Sequence, residues 1–395
     1  MRKNLVLVHR WLGIFAGLYV ALIALSGIGM VFSTTFYEWE FGADKVSVPM
    51  QNKPYVAPDL WLAKAEAKFG KLPSVEGYFG PRATPMRISA PTIIFTPVRP
   101  DGGDAHGVVT VNPYTGKPLA QFIAEDSWSM LPLKLHMSLF VPPAISSWVL
   151  VVMSVVIFGF ALSGLYLWWP GRKRIRAAMV IPKPASVTGL RRFHAGIGFW
   201  SSPLLILAAV TGLMLTRFDV AEAITKPLGA STEYDQSTAL KTICASNTTA
   251  SAGDALAAAR AKYPGTELSS LFLPTPENPF HQIWLRPAQT TVPARGNVEV
   301  IVDAKCGNIL FSRGDTEMEA GDTVLTYLVE LHNGRLLGLF GEGVIVLQGL
   351  ALLMLPLAGI TLFLRRRERR KSVEKLRCER SNDNELEPRL PATTR

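Results

Sequence analysis

Residues 11–32 read WLGIFAGLYVALIALSGIGMVF, an apolar run without a single charged side chain. A helix of this length is long enough to cross the ~30 Å hydrocarbon layer of a bilayer. Three further stretches of the same character lie at residues 146–169, 195–216 and 343–364. The sequence therefore predicts a membrane α-helical protein with four transmembrane helices.

The composition agrees with a membrane protein and argues against other classes. Of the 395 residues, 48% are hydrophobic and 18% are charged, whereas about 25% are charged in a typical soluble domain. Three cysteines cannot form a disulfide framework or a four-thiolate metal site. The net charge of +10 is compatible with nucleic-acid binding only if the basic residues form a patch, and their distribution indicates membrane topology instead.

Basic residues concentrate in three short segments that hold almost no acids. These segments are residues 1–10, the loop 171–192 and the run 365–371. Cytoplasmic loops of membrane proteins carry such an excess of Lys and Arg. We therefore expect both termini and the middle loop in the cytoplasm, and the longer polar segments 34–135 and 217–331 on the opposite side.

The two halves of the chain repeat each other. In each half, a histidine is followed at offsets 17 and 18 by a small residue and a glycine, and a second histidine precedes a glycine by 27 or 28 residues. The matched sets are His9, Ser26, Gly27, His136 and Gly164, and His194, Thr211, Gly212, His332 and Gly359. This pattern predicts a tandem duplication of helix, outer domain and helix. A first helix with an internal counterpart is expected to be retained and not cleaved as a signal peptide.

Each outer segment is predicted to be an α+β domain. In the second, an alanine-rich helix at 252–262 precedes strands at 268–273, 281–286 and 297–302 and a turn at 303–307. The first copy has a helix at 60–68 and strands near 86–96 and 107–112.

Four of the six histidines stand where the predicted helices meet the membrane surface. By topology, His9 and His194 share the cytoplasmic side, and His136 and His332 share the outer side. Neutral imidazole is a good iron ligand, and two imidazoles can hold a haem axially. This pairing predicts two bis-histidine haems, whereas a single interfacial histidine would be read as an ordinary amphipathic residue. Zinc is disfavoured because no Cys or carboxylate stands beside these histidines.

The surroundings of the histidines suit a porphyrin. Small residues would let the ring approach the backbone, and basic side chains would meet its propionates on the cytoplasmic side. The small residues are Gly13, Ala16, Gly17, Gly198 and Ser201, and the basic residues are Arg10, Arg191 and Arg192. Because His136 and His332 precede their apolar spans by about ten residues, each is expected on a short interfacial helix.

Other residues leave alternatives open. Cys244 and Cys306 share the second outer segment, so they either form a disulfide or are two unrelated buried side chains. His106, in the sequence GGDAHG at 102–107, is either a solvated residue or an iron-binding one. His281 lies in a predicted strand and is expected to be structural.

Several motifs resemble the PepSY-associated transmembrane family. They are VHRWLG at 8–13, SGLYLWW at 163–169, and the turn phrases VNPYTGKPL at 111–119 and VDAKCGNIL at 302–310. The resemblance extends over about residues 5–370. In the two turns, Asn112 replaces the usual Asp and Cys306 the usual Thr, which leaves the turn geometry in doubt.

The resemblance completes the predicted organisation. Residues 34–135 and 217–331 become two PepSY-like periplasmic domains of a protein in the bacterial inner membrane. The other segments are transmembrane helix 1 at 1–33, an interfacial segment with helix 2 at 136–170, a basic cytoplasmic loop at 171–193, helix 3 at 194–216, an interfacial segment with helix 4 at 332–364, and a basic cytoplasmic tail at 365–395.

The resemblance also implies a substrate class. Members include ferric-siderophore reductases with two b-type haems, so we expect an oxidoreductase that passes electrons to a periplasmic ferric siderophore. No dinucleotide-binding glycine motif follows a predicted strand, so the electrons are expected from quinol or from a separate cytoplasmic reductase. The alternatives are a quinone-linked reductase of another periplasmic substrate, and a non-enzymatic PepSY module that binds or regulates an envelope partner.

Overall fold

The structure is a computed structural model that describes residues 2–81, 83, 86–98, 105–230, 244, 248–288 and 298–386. Its helices are α1 (Arg2–Val31), α2 (Ser33–Phe41), α3 (Ala43–Val46), α4 (Pro58–Phe69), α5 (Leu131–Met137), α6 (Pro143–Trp168), α7 (Ile175–Met179), α8 (Val187–Thr216), α9 (Phe218–Thr225), α10 (Ala252–Lys262), α11 (Ala320–Thr326), α12 (Leu328–Asn333) and α13 (Gly338–Leu386). Its strands are β1 (Val75–Phe79), β2 (Thr92–Phe95), β3 (Gly107–Val111), β4 (Pro118–Ile123), β5 (Thr266–Phe272), β6 (Phe280–Pro287), β7 (Val298–Asp303) and β8 (Ile309–Arg313).

Four helices are long and apolar enough to cross a membrane: α1, α6, α8 and α13. They carry the four apolar stretches of the sequence, and they expose large apolar side chains such as Phe15 (75%) and Leu18 (69%). Lipid can cover such side chains, and a helix satisfies its own backbone polar groups in the membrane. The chain is therefore a multi-pass membrane protein.

The residues divide into two units. A helical unit comprises Met1–Ala24, Val156–Ile206 and Leu350–Arg395, and a sheet unit comprises Leu25–Val155 and Leu207–Gly349. Helices α1, α6, α8 and α13 each contribute to both units. Each unit is described by itself below.

The sheet unit contains one eight-stranded antiparallel sheet with the strand order β4-β3-β2-β1-β5-β6-β7-β8. The two outer segments of the chain supply four strands each, and the halves join where β1 pairs with β5, for example at Tyr78 and Leu271. The sequence predicts two separate α+β domains, whereas the structure has one continuous sheet. The difference arises because the inner edge strand of each half hydrogen-bonds to the other instead of remaining exposed.

Both halves also share a hydrophobic core. On one face, Trp61 of α4 and Ala255 of α10 pack in the same buried cluster as Ile93 and Val300. Side chains alternate along each strand, so Ile94, next to Ile93, belongs instead to a second cluster under α2 and α3. The half of the sheet that the first polar segment supplies is therefore covered by helices on both faces.

The two turn phrases have the same geometry despite their different residues. Asn112 Oδ1 accepts hydrogen bonds from the N–H groups of Tyr114 (3.0 Å) and Thr115 (3.2 Å). Asp303 Oδ1 accepts from Lys305 (2.7 Å) and from Cys306 (3.4 Å). Asn serves as well as Asp here because both present an acceptor oxygen to the same backbone donors. The two replacements therefore do not change the turn.

Cys244 and Cys306 form a disulfide, with their Cα atoms 6.0 Å apart. Of the two alternatives left open by the sequence, the structure selects the bonded one. Asp303 supports the site, because its Oδ2 atom accepts a hydrogen bond from the Cys244 N–H at 2.7 Å. The bond ties the chain before α10 to the β7–β8 turn.

Replacing both bonded cysteines, Cys244→Ser with Cys306→Ser, is expected to lower the free energy of unfolding by about 2–4 kcal/mol, since a closed loop restricts the unfolded chain. Thermal unfolding of the detergent-solubilised protein, followed by tryptophan fluorescence, measures the loss. The matched control is Cys378→Ser, which should melt like the parent. An unchanged melting temperature for the double variant would contradict the expectation.

Candidate functional site

The helical unit holds His9 on α1 and His194 on α8. His9 Nδ1 is 2.9 Å from the Ser163 hydroxyl of α6, and His194 Nδ1 is 3.0 Å from the Leu355 carbonyl oxygen of α13. The two imidazoles lie close enough to interact electrostatically. The structure therefore brings together the first pair that the sequence predicts.

The sheet unit holds His136 on α5 and His332 on α12. Their ring centroids are 6.1 Å apart with an angle of 71° between the ring planes. His136 Nδ1 is 3.1 Å from the Ser26 hydroxyl, and His332 Nδ1 is 2.8 Å from the Thr211 hydroxyl. Both histidines lie on short helices, as predicted. Burial, and secondarily the neighbouring His136, lower the pKa of His332 to about 4, so its imidazole is neutral at pH 7.

Short helix α12 ends because Gly334 adopts a left-handed conformation with φ of +77°. A Cβ at this position would lie 2.5 Å from the Gly341 carbonyl oxygen, so only glycine allows this approach. The turn thereby separates His332 from α13 and fixes it beside Thr211.

Each of the four imidazoles also faces a glycine. A Cβ built on that glycine would lie 3.3–3.7 Å from the imidazole Cε1 atom, so an added methyl group would touch the ring. The pairs are His9 with Gly164, His136 with Gly27, His194 with Gly359, and His332 with Gly212. The glycines that repeat along the sequence are thus the residues against which the four histidines pack. Each histidine contacts a glycine of its own half of the chain.

Hydrogen bonding fixes the tautomer of three of these histidines. The Leu355 carbonyl can only accept, so Nδ1 of His194 carries the proton. The Ser163 hydroxyl donates to the Phe160 carbonyl (3.2 Å), and the Thr211 hydroxyl donates to the Leu207 carbonyl (2.7 Å). Since each hydroxyl has a single proton, its oxygen accepts from the histidine Nδ1–H. Nε2 is then the nitrogen whose lone pair can bind a metal.

The spacing of His136 and His332 suits two ligands of one metal ion. Two metal–nitrogen bonds of about 2 Å and two ring radii of about 1.1 Å add up to about 6 Å, close to the observed 6.1 Å. Within the described ranges, no group of three or more His, Cys, Asp or Glu side chains is placed to hold a metal ion. The donor sets are therefore pairs of imidazoles.

The helical unit leaves room beside its histidine pair. Gly13 follows His9 by four residues and lies on the same helix face, and a Cβ built on Gly13 meets no described atom within 4 Å. Gly198 stands in the same relation to His194, and its Cβ would meet only Leu355, at 3.8 Å. A flat ligand held between the imidazoles would find backbone, not side chains, at these two positions.

The three predicted propionate-binding residues differ in their surroundings. The Arg10 guanidinium lies over the rings of Trp11 (5.4 Å) and Phe363 (5.9 Å). Its Nε atom is buried and has no hydrogen-bond partner among the described residues. Arg191 and Arg192 are exposed. Arg10 is thus the member of this set that offers an unused buried donor.

A partly buried ion cluster that no sequence pattern predicts involves the chain that follows His332. Arg87 forms an ion pair with Glu342 and donates to the carbonyl oxygens of Met30 (2.9 Å) and Val31 (3.0 Å) at the end of α1. Arg335 Nε lies 3.7 Å from the same Glu342 carboxylate. The cluster connects the chain after His332 to α1, and it joins residues too distant in sequence for any local pattern to reveal.

The other two histidines, His106 and His281, belong to neither pair. The exposed His106 pairs with Glu125, with 2.8 Å between Nδ1 and Oε1, and residues 102–104 of its turn lie outside the described residues. His281 is buried in β6, and its Nε2 atom is 3.1 Å from the Ala250 carbonyl oxygen. Burial lowers the pKa of His281, although the Ala250 carbonyl, Asp59 and Asp254 oppose this shift.

The lowered pKa of His281 predicts a pH-dependent stability. Between the folded-state pKa and about 6.5, the unfolded chain binds a proton that the folded protein does not. The free energy of unfolding should therefore fall as the pH drops below about 6.5. Melting curves between pH 7.5 and 5.5 should show this loss. In His281→Gln the free energy of unfolding should depend less steeply on pH, and the remaining dependence should come from His332. A H281Q slope equal to the parent's would contradict the expectation.

Four membrane-crossing helices, a helix-covered sheet and two pairs of histidines define a multi-pass membrane protein with a sheet domain. The family model described as the PepSY-associated TM region matches residues 6–366. The chain therefore belongs to the PepSY-associated transmembrane family. A search of the curated proteins finds no match.

Proposed function

We propose that the protein is a di-haem b electron conduit that reduces periplasmic ferric siderophore and releases Fe(II). One observation carries the proposal: two pairs of imidazoles, one pair in each unit, with each Nδ1 atom hydrogen-bonded to a protein group. His9 and His194 would hold one haem, and His136 and His332 the other.

Haem accounts for the donor sets better than a bare ion does. A structural zinc site needs about four protein ligands, whereas a porphyrin supplies four nitrogens and asks the protein for two axial ones. The open space at Gly13 suits the edge of a porphyrin. The buried, unpaired Nε of Arg10 suits a propionate, because guanidinium and carboxylate form charge-assisted hydrogen bonds.

Bound haem would supply one-electron chemistry, since its iron alternates between the ferric and ferrous states. The histidines would hold it through their imidazoles, and the facing glycines present backbone and no side chain to the rings. Each electron delivered converts one Fe(III) to Fe(II).

The charge distribution supports a direction for the electron. Segments 1–10, 171–192 and 365–371 are basic and are expected in the cytoplasm of a bacterium, which puts His9 and His194 near the inner face. The Cys244–Cys306 disulfide favours an oxidising compartment for the sheet, which would be the periplasm of a bacterium. Electrons would enter from quinol or a cytoplasmic reductase and leave towards the periplasm.

Reduction of a ferric siderophore releases its metal for a simple reason. Hard oxygen ligands bind Fe(III) far better than Fe(II), so one electron weakens the complex. The resemblance to ferric-siderophore reductases supplies this substrate class.

Absorption spectroscopy of the purified full-length protein tests the proposal. A Soret band, a b-type α-band on reduction and about two haems per chain are expected. Adding ferric siderophore to the reduced, desalted protein should reoxidise the haem and yield Fe(II), which a ferrous-specific chelator detects. Reoxidation by quinone analogues but by no ferric chelate would indicate another substrate. A folded, colourless protein would leave only a binding or regulatory module.

A further inference from the structure

Three of the four paired histidines rest on a hydroxyl group that the sequence supplies at a fixed position before glycine. We propose that Ser26, Ser163 and Thr211 are positioning residues that hold their imidazoles in the Nδ1–H form and set the donor strength of Nε2. Each would thereby lower the midpoint potential of the haem in its own unit. The inference rests on the proposed function, because it concerns ligands of the proposed haems.

The hydrogen-bond geometry supports a relay through the hydroxyl group. For Thr211, the distances are 2.8 Å to His332 Nδ1 and 2.7 Å to the Leu207 carbonyl oxygen. The hydroxyl accepts from the imidazole and donates to the helix. Such chains polarise one another, and an imidazole that donates its second N–H becomes a more basic ligand. A more basic ligand favours ferric over ferrous iron.

Burial increases the effect expected from removing the hydroxyl of Ser26 or Thr211. Ser26 and Thr211 are each 3% exposed. Removing the hydroxyl takes away the partner of the imidazole Nδ1 atom, and a buried donor without its acceptor is unfavourable. The histidine would lose both its orientation and part of its donor strength.

The fourth histidine is an internal control supplied by the duplication. Ala358 occupies the position equivalent to Ser163, and it offers no hydroxyl. His194 instead donates directly to the Leu355 carbonyl at 3.0 Å. The Nδ1 atoms of His9 and His194 therefore both have a hydrogen-bond partner. For His9 it is the Ser163 side chain, and for His194 it is a main-chain carbonyl group.

Spectroelectrochemical titration of the purified full-length protein measures the effect. Thr211→Val keeps the shape of the side chain and removes the acceptor, so it should raise one of two midpoint potentials. Ser163→Ala should raise the other. We expect at least a tenfold change in the reduction equilibrium, which is 59 mV for a one-electron couple. The conservative variants Thr211→Ser and Ser163→Thr should restore the parent values.

Matched controls separate ligand positioning from general damage to the helices. Thr216 lies on the same helix as Thr211 and donates to the Gly212 carbonyl at 2.8 Å, and the buried Ser202 donates to the Gly198 carbonyl. Neither bond involves a histidine. Thr216→Val and Ser202→Ala should leave both potentials unchanged.

The outcomes distinguish this inference from the proposed function. Unshifted potentials at full haem content, or equal shifts of both haems in each variant, would overturn the positioning role alone. Loss of one haem in Thr211→Val that Thr211→Ser restores would support it, and loss that serine does not restore would overturn it. A parent protein without haem would overturn both proposals.

Discussion

Replacing His332 with alanine is expected to remove one haem and leave the other in place. The reason is the separation of the donor sets: His332 and His136 lie in the sheet unit, and His9 and His194 lie in the helical unit. Without the His332 imidazole, the pair in the sheet unit keeps only His136 as an axial donor. A bis-histidine haem needs two. The haem-to-protein ratio should fall from about two to about one.

The pyridine haemochrome assay on the purified variant measures this ratio. His136→Ala should have the same effect, and His9→Ala should remove the other haem, so that the two types of variant leave different residual spectra. His106→Ala is the matched control, because that histidine is exposed and pairs with Glu125. If His332→Ala stripped both haems from a folded protein, the assignment of one pair to each haem would be wrong.

The membrane helices and the histidine pairs were accessible from the sequence because both depend on strong local signals. Uncharged runs of about 20 residues have few alternatives to a membrane helix. Chain direction then predicts which histidines form a pair, as for His9 and His194, which both lie in the N-terminal part of their helices, α1 and α8. The helix predicted at 252–262 agrees with α10, Ala252–Lys262, whose Ser251 and Asp254 form a capping box.

The sheet was harder to predict because its strands depend on partners distant in sequence. Strands β1, β4 and β8 were not predicted. Short runs such as Val75–Phe79 give a weak periodic signal, and the pairing of β1 with β5 joins residues nearly 200 positions apart. The same limit applies to the pair Arg87 and Glu342, since a buried ion pair leaves no spacing pattern along the chain.

The repeat was visible in the sequence, but the contacts of the repeated small residues were not. The offsets from His9 to Ser26 and from His194 to Thr211 marked the small residues as equivalent. Their contacts cross between helices: Ser26 meets His136, not His9, and Thr211 meets His332, not His194. Only three-dimensional packing shows that the hydroxyl group on α1 contacts the histidine of α5, and that the one on α8 contacts the histidine of α12.

Gly13→Leu is expected to abolish the haem held by His9 and His194 while the protein folds normally. Gly13 is partly covered, yet no described atom lies within 4 Å of a Cβ built there. The branch point of a leucine side chain therefore meets no described atom, and its methyl groups would extend into the space that the porphyrin would need, one helical turn from His9. Leucine also forms helices better than glycine by about 1 kcal/mol, so no loss of folding is expected.

The haem-to-protein ratio of Gly13→Leu should fall from about two to about one, with the spectrum of the His136–His332 haem retained. Gly13→Ala should keep both haems, because a methyl group adds little volume. The matched control is Gly159→Leu on α6, where an added Cβ also meets no atom within 4 Å but the position is exposed and faces no histidine of the pair. Two haems in Gly13→Leu would show that the open space beside His9 has another purpose, and an equal loss in Gly159→Leu would assign the effect to general disturbance of the helices.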